Sequence, residues 1–413
     1  LLFETTQTRV YPHENLFSHV IGQIDSDNNG ISGVEKYFDR SLKDIENKPL
    51  NLSLDINLQY LIREELVKSV SDFRAKGAAS VLLDAKTGEI LSLISLPDYN
   101  LNIRQEIKDS SFTNKITKGV FELGSIFKTF TVALAMENNL FSPNTIVKNI
   151  PEKIQCSKYT ISEHDKLPSN LSLKEILIRS SNIGTIKVAR KIGENSLRTF
   201  LKDLNLLNTI DLELDEIGSP LNFLWNKCKL ETVSYGHGIT TTPLQAAAAY
   251  ASISNGGIVV NPTLIKNKNL NLEKKRVVNS TTSKKINSIL REVVTNNHGT
   301  ASLAEVKGYY VGGKTGTAKK NIDGEYTNKK LTSFISVFPT KDPQYILLVL
   351  MDEPKAAPQV VYHYRGKKIS GISRNESGWN SAYVAGKIIE KIGPILAINT
   401  NDFYDNYVVK KSD

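Results

Sequence analysis

The sequence predicts an α+β fold in which helices flank an antiparallel sheet. Three observations carry this. Residues 78–96 spell a tight hairpin, three strand-like runs stand close together near the C-terminal end, and helical segments precede, separate and follow these strands. Strands joined by tight hairpins pair antiparallel, and helices on both sides in sequence are needed to cover the sheet's apolar faces.

Residues 1–50 are short alternating runs broken by Gly, Asn and Asp clusters, which reads as a small, loop-rich segment. Leu58, Leu61, Ile62, Leu66 and Val70 recur at helical spacing, predicting an amphipathic helix over Leu58–Phe73. Ala78–Leu83 and Glu89–Leu96 are apolar runs, and Asp84-Ala85-Lys86-Thr87-Gly88 between them is a turn. Phe127–Leu134 fits a buried helix. Leu171–Ile192 reads as two helices interrupted at Ser180-Ser181-Asn182. Thr242-Pro243 opens an Ala-rich helix over Gln245–Ser252, which stops at Asn255-Gly256-Gly257. Lys284–Val294 is a further helix. Strands are expected at Tyr309–Ala318, Leu331–Phe338 and Tyr345–Met351. A last helix, Gly378–Ile392, is expected to stop at Gly393-Pro394.

A chain of 413 residues is too long for one ordinary core and fits a large domain plus a smaller one. The formal charge of +9, from 52 basic and 43 acidic residues, is spread along the sequence as a solvated, lysine-rich surface would have it. The short basic runs Lys274-Lys275-Arg276 and Lys410-Lys411 lack the interleaved aromatics of single-strand nucleic-acid binders, so no nucleic-acid partner is expected. Cys156 and Cys228 are far apart and stand in no metal-ligand spacing. A disulfide between them is the less favoured expectation, and the pairing is left open. No stretch is long and apolar enough to span a membrane, and the chain begins Leu-Leu-Phe with no signal peptide. A removed membrane anchor is compatible with that start.

Ser125 and Lys128 form the only Ser-x-x-Lys in the chain and open a helix. Three residues apart, the hydroxyl and the amine share one face. An amine whose pKa is lowered by burial and by cationic neighbours can take the serine proton, and free N–H groups of the helix start suit an oxyanion. An isolated match has a plain alternative, a surface lysine one turn from a helix cap. Two companions raise it: a Ser-x-Asn and a Lys-Thr-Gly, the set used by β-lactamases and penicillin-binding proteins. Ser-x-Asn occurs at Ser26, Ser142, Ser180 and Ser373, and Lys-Thr-Gly at Lys86 and Lys314. Context separates them. Ser26-Asp27-Asn28 is a turn, Ser142-Pro143-Asn144 a loop, and Ser373-Arg374-Asn375 a polar loop past every needed strand. Ser180-Ser181-Asn182 breaks two apolar helices, where polar side chains should face a cavity. Lys86-Thr87-Gly88 belongs to the hairpin turn, whereas Lys314-Thr315-Gly316-Thr317 lies in a glycine-rich strand suited to close approach of a ligand. The alternative for that strand is a bulged edge.

In this order the motifs resemble those of the penicillin-binding transpeptidases, most closely the class B, monofunctional type, and within it the division-specific enzymes of Gram-negative bacteria. The resemblance extends to Asp84–Leu91, Tyr235-Gly236-His237-Gly238, Thr242–Gln245, His298-Gly299-Thr300-Ala301 and Asp352-Glu353-Pro354. Two departures flank the nucleophile: Leu123-Gly124 where the family often has Pro-Gly, and Ile126 where Thr is frequent. Neither supplies a catalytic atom. The resemblance implies a penicillin-binding/serine β-lactamase-like transpeptidase domain over residues 51–398. It also implies the C-terminal part of a non-catalytic pedestal domain over 1–50 and a tail over 399–413.

It further implies a stem-peptide substrate ending in D-Ala-D-Ala, attacked by Ser125 with release of D-Ala, and β-lactams as acylating inhibitors. Lys128 is the first choice of base, Ser180 and Lys314 pass a proton to the leaving amine, and Asn182 holds both substrate and Lys128. Thr315, Gly316 and Thr317 bind substrate, the two threonine hydroxyls taking its carboxylate, and the N–H groups of Ser125 and Thr317 form the oxyanion hole. No metal or organic cofactor is called for. The implied setting is septal wall synthesis at the periplasmic face of the inner membrane. The chain would be held there by an anchor missing from it, beside a membrane glycan polymerase and other divisome proteins.

Several tempting residues read as structural: His237 in a Gly-His-Gly turn, His298, and Trp379 as packing. Asp352 and Glu353, as neighbours on a strand, are expected to point to opposite faces. Within enzymes, a D,D-carboxypeptidase and a β-lactamase compete with the transpeptidase, differing in what attacks the acyl-enzyme. Outside enzymes, a β-lactam sensor or a divisome scaffold competes.

Overall fold

The computed structural model describes residues 9–44, 49–103, 109–157, 159–268, 274–322 and 324–399. Helix α1 (Ile56–Asp72) starts where Asp55 accepts the N–H groups of Asn57 and Leu58, and it buries Leu58, Ile62 and Leu66. It leads into the hairpin of β1 (Gly77–Asp84) and β2 (Ile90–Leu96). In the turn, Asp84 Oδ1 accepts the N–H groups of Lys86 and Thr87, which places the first Lys-Thr-Gly in a turn. The C-terminal strands are β3 (Gly312–Ile322), β4 (Glu325–Phe338) and β5 (Tyr345–Asp352). They complete a five-stranded sheet of order β2-β1-β5-β4-β3, antiparallel throughout. Strand β5 lies at its centre with all eight residues buried, so its sequence is a continuous apolar run rather than an alternating one.

Helices α1 and α7 (Ser381–Asn399) pack together on one face of the sheet. The other face carries the helices α2 (Lys128–Glu137), α3 (Leu173–Ile178), α4 (Asn182–Ile192), α5 (Pro243–Ser254) and α6 (Ser280–Thr295). Helix α5 is buried on every side, which its alanines allow by letting neighbours approach closely; Thr242 and Gln245 form its capping box. One apolar core runs through the molecule, and Val20 and Val34 of the N-terminal segment belong to it.

Four expectations are corrected. Helix α7 runs through Gly393-Pro394, because Leu396 beyond the proline is still buried in the core, offsetting the lost backbone bond. Strand β3 starts at Gly312, since Tyr310 turns the chain at φ 48°. Asp352 and Glu353 do not diverge: Glu353 leaves the strand at φ 54°, and both carboxylates accept from Lys320 Nζ, at 2.7 and 2.9 Å. Cys156 and Cys228 form a disulfide, 72 residues apart in sequence. A two-stranded hairpin, Lys153–Cys156 with Tyr159–Ser162, carries Cys156 to Cys228. The expected tail lies almost entirely outside the described residues, and Lys410-Lys411 wholly so. No helix among the described residues is long and apolar enough to cross a membrane.

Candidate active site

Ser125 lies in a single 3-10 turn, Gly124–Phe127, that runs directly into α2. Gly124 enters it at φ 61°, and a Cβ there would stand 2.9 Å from the Thr317 carbonyl oxygen. Gly236 supports the turn from the other side, because a Cβ on it would stand 1.9 Å from Gly124 O. Gly316 serves the same approach, since its Cβ would lie 2.2 Å from Leu123 O. Three glycines therefore let the nucleophile segment, the Tyr235–Gly238 loop and β3 meet backbone to backbone. Below the turn, the buried Tyr250 hydroxyl donates to Ile126 O at 2.8 Å and lies 2.7 Å from Thr129 Oγ1.

Lys128 is fully buried. Its Nζ lies 2.5 Å from Ser180 O, 2.7 Å from Asn182 Oδ1 and 3.1 Å from Ser180 Oγ. Lys314, also fully buried, donates from the opposite side to Ser180 Oγ at 2.9 Å and to Thr315 O at 3.1 Å. Ser180 can stand between the lysines because it occupies the break between α3 and α4 at φ 60°. Burial pushes the Lys128 amine down to about 7, against an opposing pull from the Glu163 carboxylate. Burial, and then repulsion by Lys128, lower Lys314 well below the usual lysine range. Two buried amines sharing one hydroxyl are held with less than two full charges, so a proton can be exchanged through Ser180.

The other expected residues fall around this core. Thr315 is buried and its Oγ1 lies 2.8 Å from Thr300 Oγ1. Thr317 is half-buried, and its Oγ1 accepts from Ser377 N at 3.3 Å. Its backbone nitrogen would lie 3.4 Å from a Cβ on Gly124, so the N–H bearing atoms of Thr317 and the Ser125 turn are neighbours. His237 faces Glu122, Nδ1 to Oε2 at 3.3 Å, and stacks on Tyr326. Trp379 packs against Tyr362 and Tyr364.

Sequence reasoning missed Glu163, Thr300 and Ser377. Glu163 caps the Ser-x-Asn motif. Its Oε1 accepts from Ser181 Oγ at 2.6 Å and Ile183 N at 2.9 Å, and its Oε2 from Asn182 N at 2.7 Å. No local signal marks it, because it stands 17 residues before Ser180 in a polar loop. Thr300 had a hint in the His298–Ala301 stretch, as Ser377 had none.

Comparison with known proteins shows the family. Residues 78–374 match the penicillin-binding protein transpeptidase domain. The chain belongs to the penicillin-binding protein transpeptidase family. It is 32% identical over 411 residues to the probable peptidoglycan D,D-transpeptidase FtsI of Caulobacter vibrioides, covering 96% of this chain and 67% of that protein. With the peptidoglycan D,D-transpeptidase FtsI of Escherichia coli it shares 30% identity over 376 residues, 84% of this chain and 63% of that one. The chain thus spans about two thirds of these relatives' length. Among solved structures it is similar to the transpeptidase domain of Burkholderia pseudomallei penicillin-binding protein 3. That likeness has a TM-score of 0.71 and 27% identity, over 84% of this chain and 96% of that one. Mycobacterium tuberculosis penicillin-binding protein 3, solved with aztreonam, shares the fold at a TM-score of 0.82 and 24% identity, over 95% of this chain and 91% of that one.

Proposed function

We propose that the chain is a serine-type peptidoglycan D,D-transpeptidase that works through an acyl-enzyme on Ser125. The observation that carries this is the Ser180 hydroxyl, placed between the amines of two fully buried lysines, of which Lys128 stands three residues after the nucleophile. A neutral Lys128 amine takes the proton of Ser125 as Oγ attacks the penultimate carbonyl of a D-Ala-D-Ala stem peptide. The proton then crosses Ser180, assisted by Lys314, to the departing D-Ala amine. Asn182 holds Lys128 and the substrate amide. The N–H groups of Ser125 and Thr317 receive the oxyanion, and Thr315 and Thr317, with Gly316 between them, receive the carboxylate beside Lys314. An amine of a second stem peptide completes the cross-link, and β-lactams, whose strained amide mimics the donor, acylate the same serine.

In this reading residues 1–50 end a pedestal domain, 51–398 form the transpeptidase domain and 399–413 a tail. The whole protein is anchored in the inner membrane and works at its periplasmic face in septal wall synthesis. Its partners there are a glycan polymerase and other divisome proteins.

The test is acylation. The purified chain and its Ser125→Ala variant are incubated with benzylpenicillin and followed by intact mass. A single persistent adduct, absent from the variant, is expected. An adduct that forms and vanishes with drug hydrolysis makes the protein a β-lactamase instead, and no adduct leaves a scaffold. A persistent adduct together with a Ser125→Ala allele that supports growth makes it a sensor.

A further inference from the structure

The hairpin that carries Cys156 is held to the rest of the protein by the disulfide near its turn and by the start of α4 at its far end. Its strands, Lys153–Cys156 and Tyr159–Ser162, form an isolated two-stranded sheet. Among its described side chains only Cys156 and Ile161 are buried. Such a short hairpin is marginal by itself. Those two side chains, with Ile186 of α4, make a small apolar cluster separate from the main core, and Cys228 and Tyr235 pack against it. The disulfide runs through this cluster and ends at Cys228, the residue preceding the short helix Lys229–Ser234.

That short helix is tied to the nucleophile side of the site. Thr131 of α2, one turn past Lys128, donates from Oγ1 to Ser234 O at 2.8 Å, and Lys229 Nζ donates to Gly238 O at 2.5 Å. At its other end the hairpin reaches the Ser-x-Asn motif. Asn182 Nδ2 donates to Ser162 O at 3.0 Å, and the next residue is Glu163, which accepts from Ser181, Asn182 and Ile183. The Asn182 side chain therefore has its amide nitrogen on the hairpin and its oxygen on Lys128, at 2.7 Å. A shift of the hairpin moves Asn182, and Lys128 loses an acceptor.

We propose that the Cys156–Cys228 disulfide and Glu163 form a strut that positions Asn182, and through it Lys128, for acylation of Ser125. The inference rests on the transpeptidase reading above. These three are positioning residues, because none of them touches the reacting atoms. A disulfide that only stiffened the chain would leave acylation unchanged once the protein is folded. A strut makes the acylation rate follow the state of the bond.

The experiment compares the oxidised full chain, the chain treated with tris(2-carboxyethyl)phosphine, and a Cys156→Ser/Cys228→Ser variant. The phosphine gives two electrons and takes oxygen from water as phosphine oxide, while the disulfide takes up two protons to give two thiols. Benzylpenicillin acylation is followed by intact mass, and hydrogen exchange by peptide mapping. The expected result is a fall in the acylation rate of about 10- to 100-fold in both thiol and serine forms, the range that a small misplacement near chemistry produces. Faster exchange confined to residues 153–163 and 181–184 should accompany it, and reoxidation should restore both. In the oxidised chain, Glu163→Gln should raise exchange at 181–184 and move the acylation pH profile to lower pH. Unchanged acylation with the bond open, or melting of the whole fold on reduction, would overturn the strut. If the oxidised chain forms no adduct, the enzyme reading fails, and exchange at 181–184 alone decides whether the strut exists.

Discussion

Lys128 shows how position changes the chemistry of a lysine. In water its amine would be charged at neutral pH, but full burial in α2 brings it down to about 7, with the Glu163 carboxylate pulling the other way and His164 and Lys314 as its further titratable neighbours. In the proposed mechanism the neutral form accepts the Ser125 proton. Acylation by benzylpenicillin should therefore rise with pH and reach half its plateau near 7, measured as the rate of adduct formation in a pH series. Glu163→Gln removes the charge that favours the ammonium, so its half-plateau should lie lower. A flat profile would exclude Lys128 as the base. The residue scale also holds the limit of sequence reading. Ser125, Lys128, Ser180 and Lys314 were legible because their spacing and local context are written in adjacent residues. Glu163 was not, because its role depends on a hairpin end folding back onto a helix start.

Helix starts and glycine contacts position these groups at the scale of elements. The nucleophile turn is pinned from below by Tyr250 of α5 and from the side by Gly236. Tyr250→Phe removes a buried hydroxyl shared by Ile126 O and Thr129 Oγ1, leaving partners unsatisfied, at a cost of about 1–3 kcal/mol. Urea denaturation should read this as a lower midpoint with an unchanged slope. Gly236→Ala places a methyl on the Gly124 carbonyl at φ 86°, which any L side chain adopts only with strain. Acylation should collapse in this variant even where thermal unfolding shows a folded protein. Element types were readable from periodicity, and most boundaries lay within a few residues. The exceptions have physical reasons: apolar burial carried α7 past its proline, and Asn279, which accepts the N–H of Thr282, started α6 before the apolar pattern began.

Across the whole molecule, the sheet joins both ends of the chain. Strands β1 and β2 come from the first hundred residues and β3 to β5 from the last hundred or so, with β1 paired directly to β5. The helices between them hang over one face, and the site forms where α2, the α3–α4 break and β3 converge. The disulfide closes a loop of 72 residues within that helical region. Chain entropy alone assigns such a loop about 4 kcal/mol. Spread over a chain of this size, its reduction should lower the unfolding temperature by roughly 5 °C. Differential scanning calorimetry of the oxidised and reduced protein reads this directly, and a much larger drop would mean that the bond holds more than its own region.

The sequence by itself determined the α+β class, the hairpin, the strand runs, the helix break at Ser180 and the order of the three motifs, since each is set by neighbours within a few residues. Context even separated the Lys-Thr-Gly on the strand beside Ser180 from its copy in the turn, because a turn and a strand differ locally. Only the tertiary structure decided that Cys156 meets Cys228, that Asp352 and Glu353 both reach Lys320, and that Glu163 holds Asn182. These depend on contacts between distant segments, and a periodic pattern records which face of an element is buried without recording what lies against it.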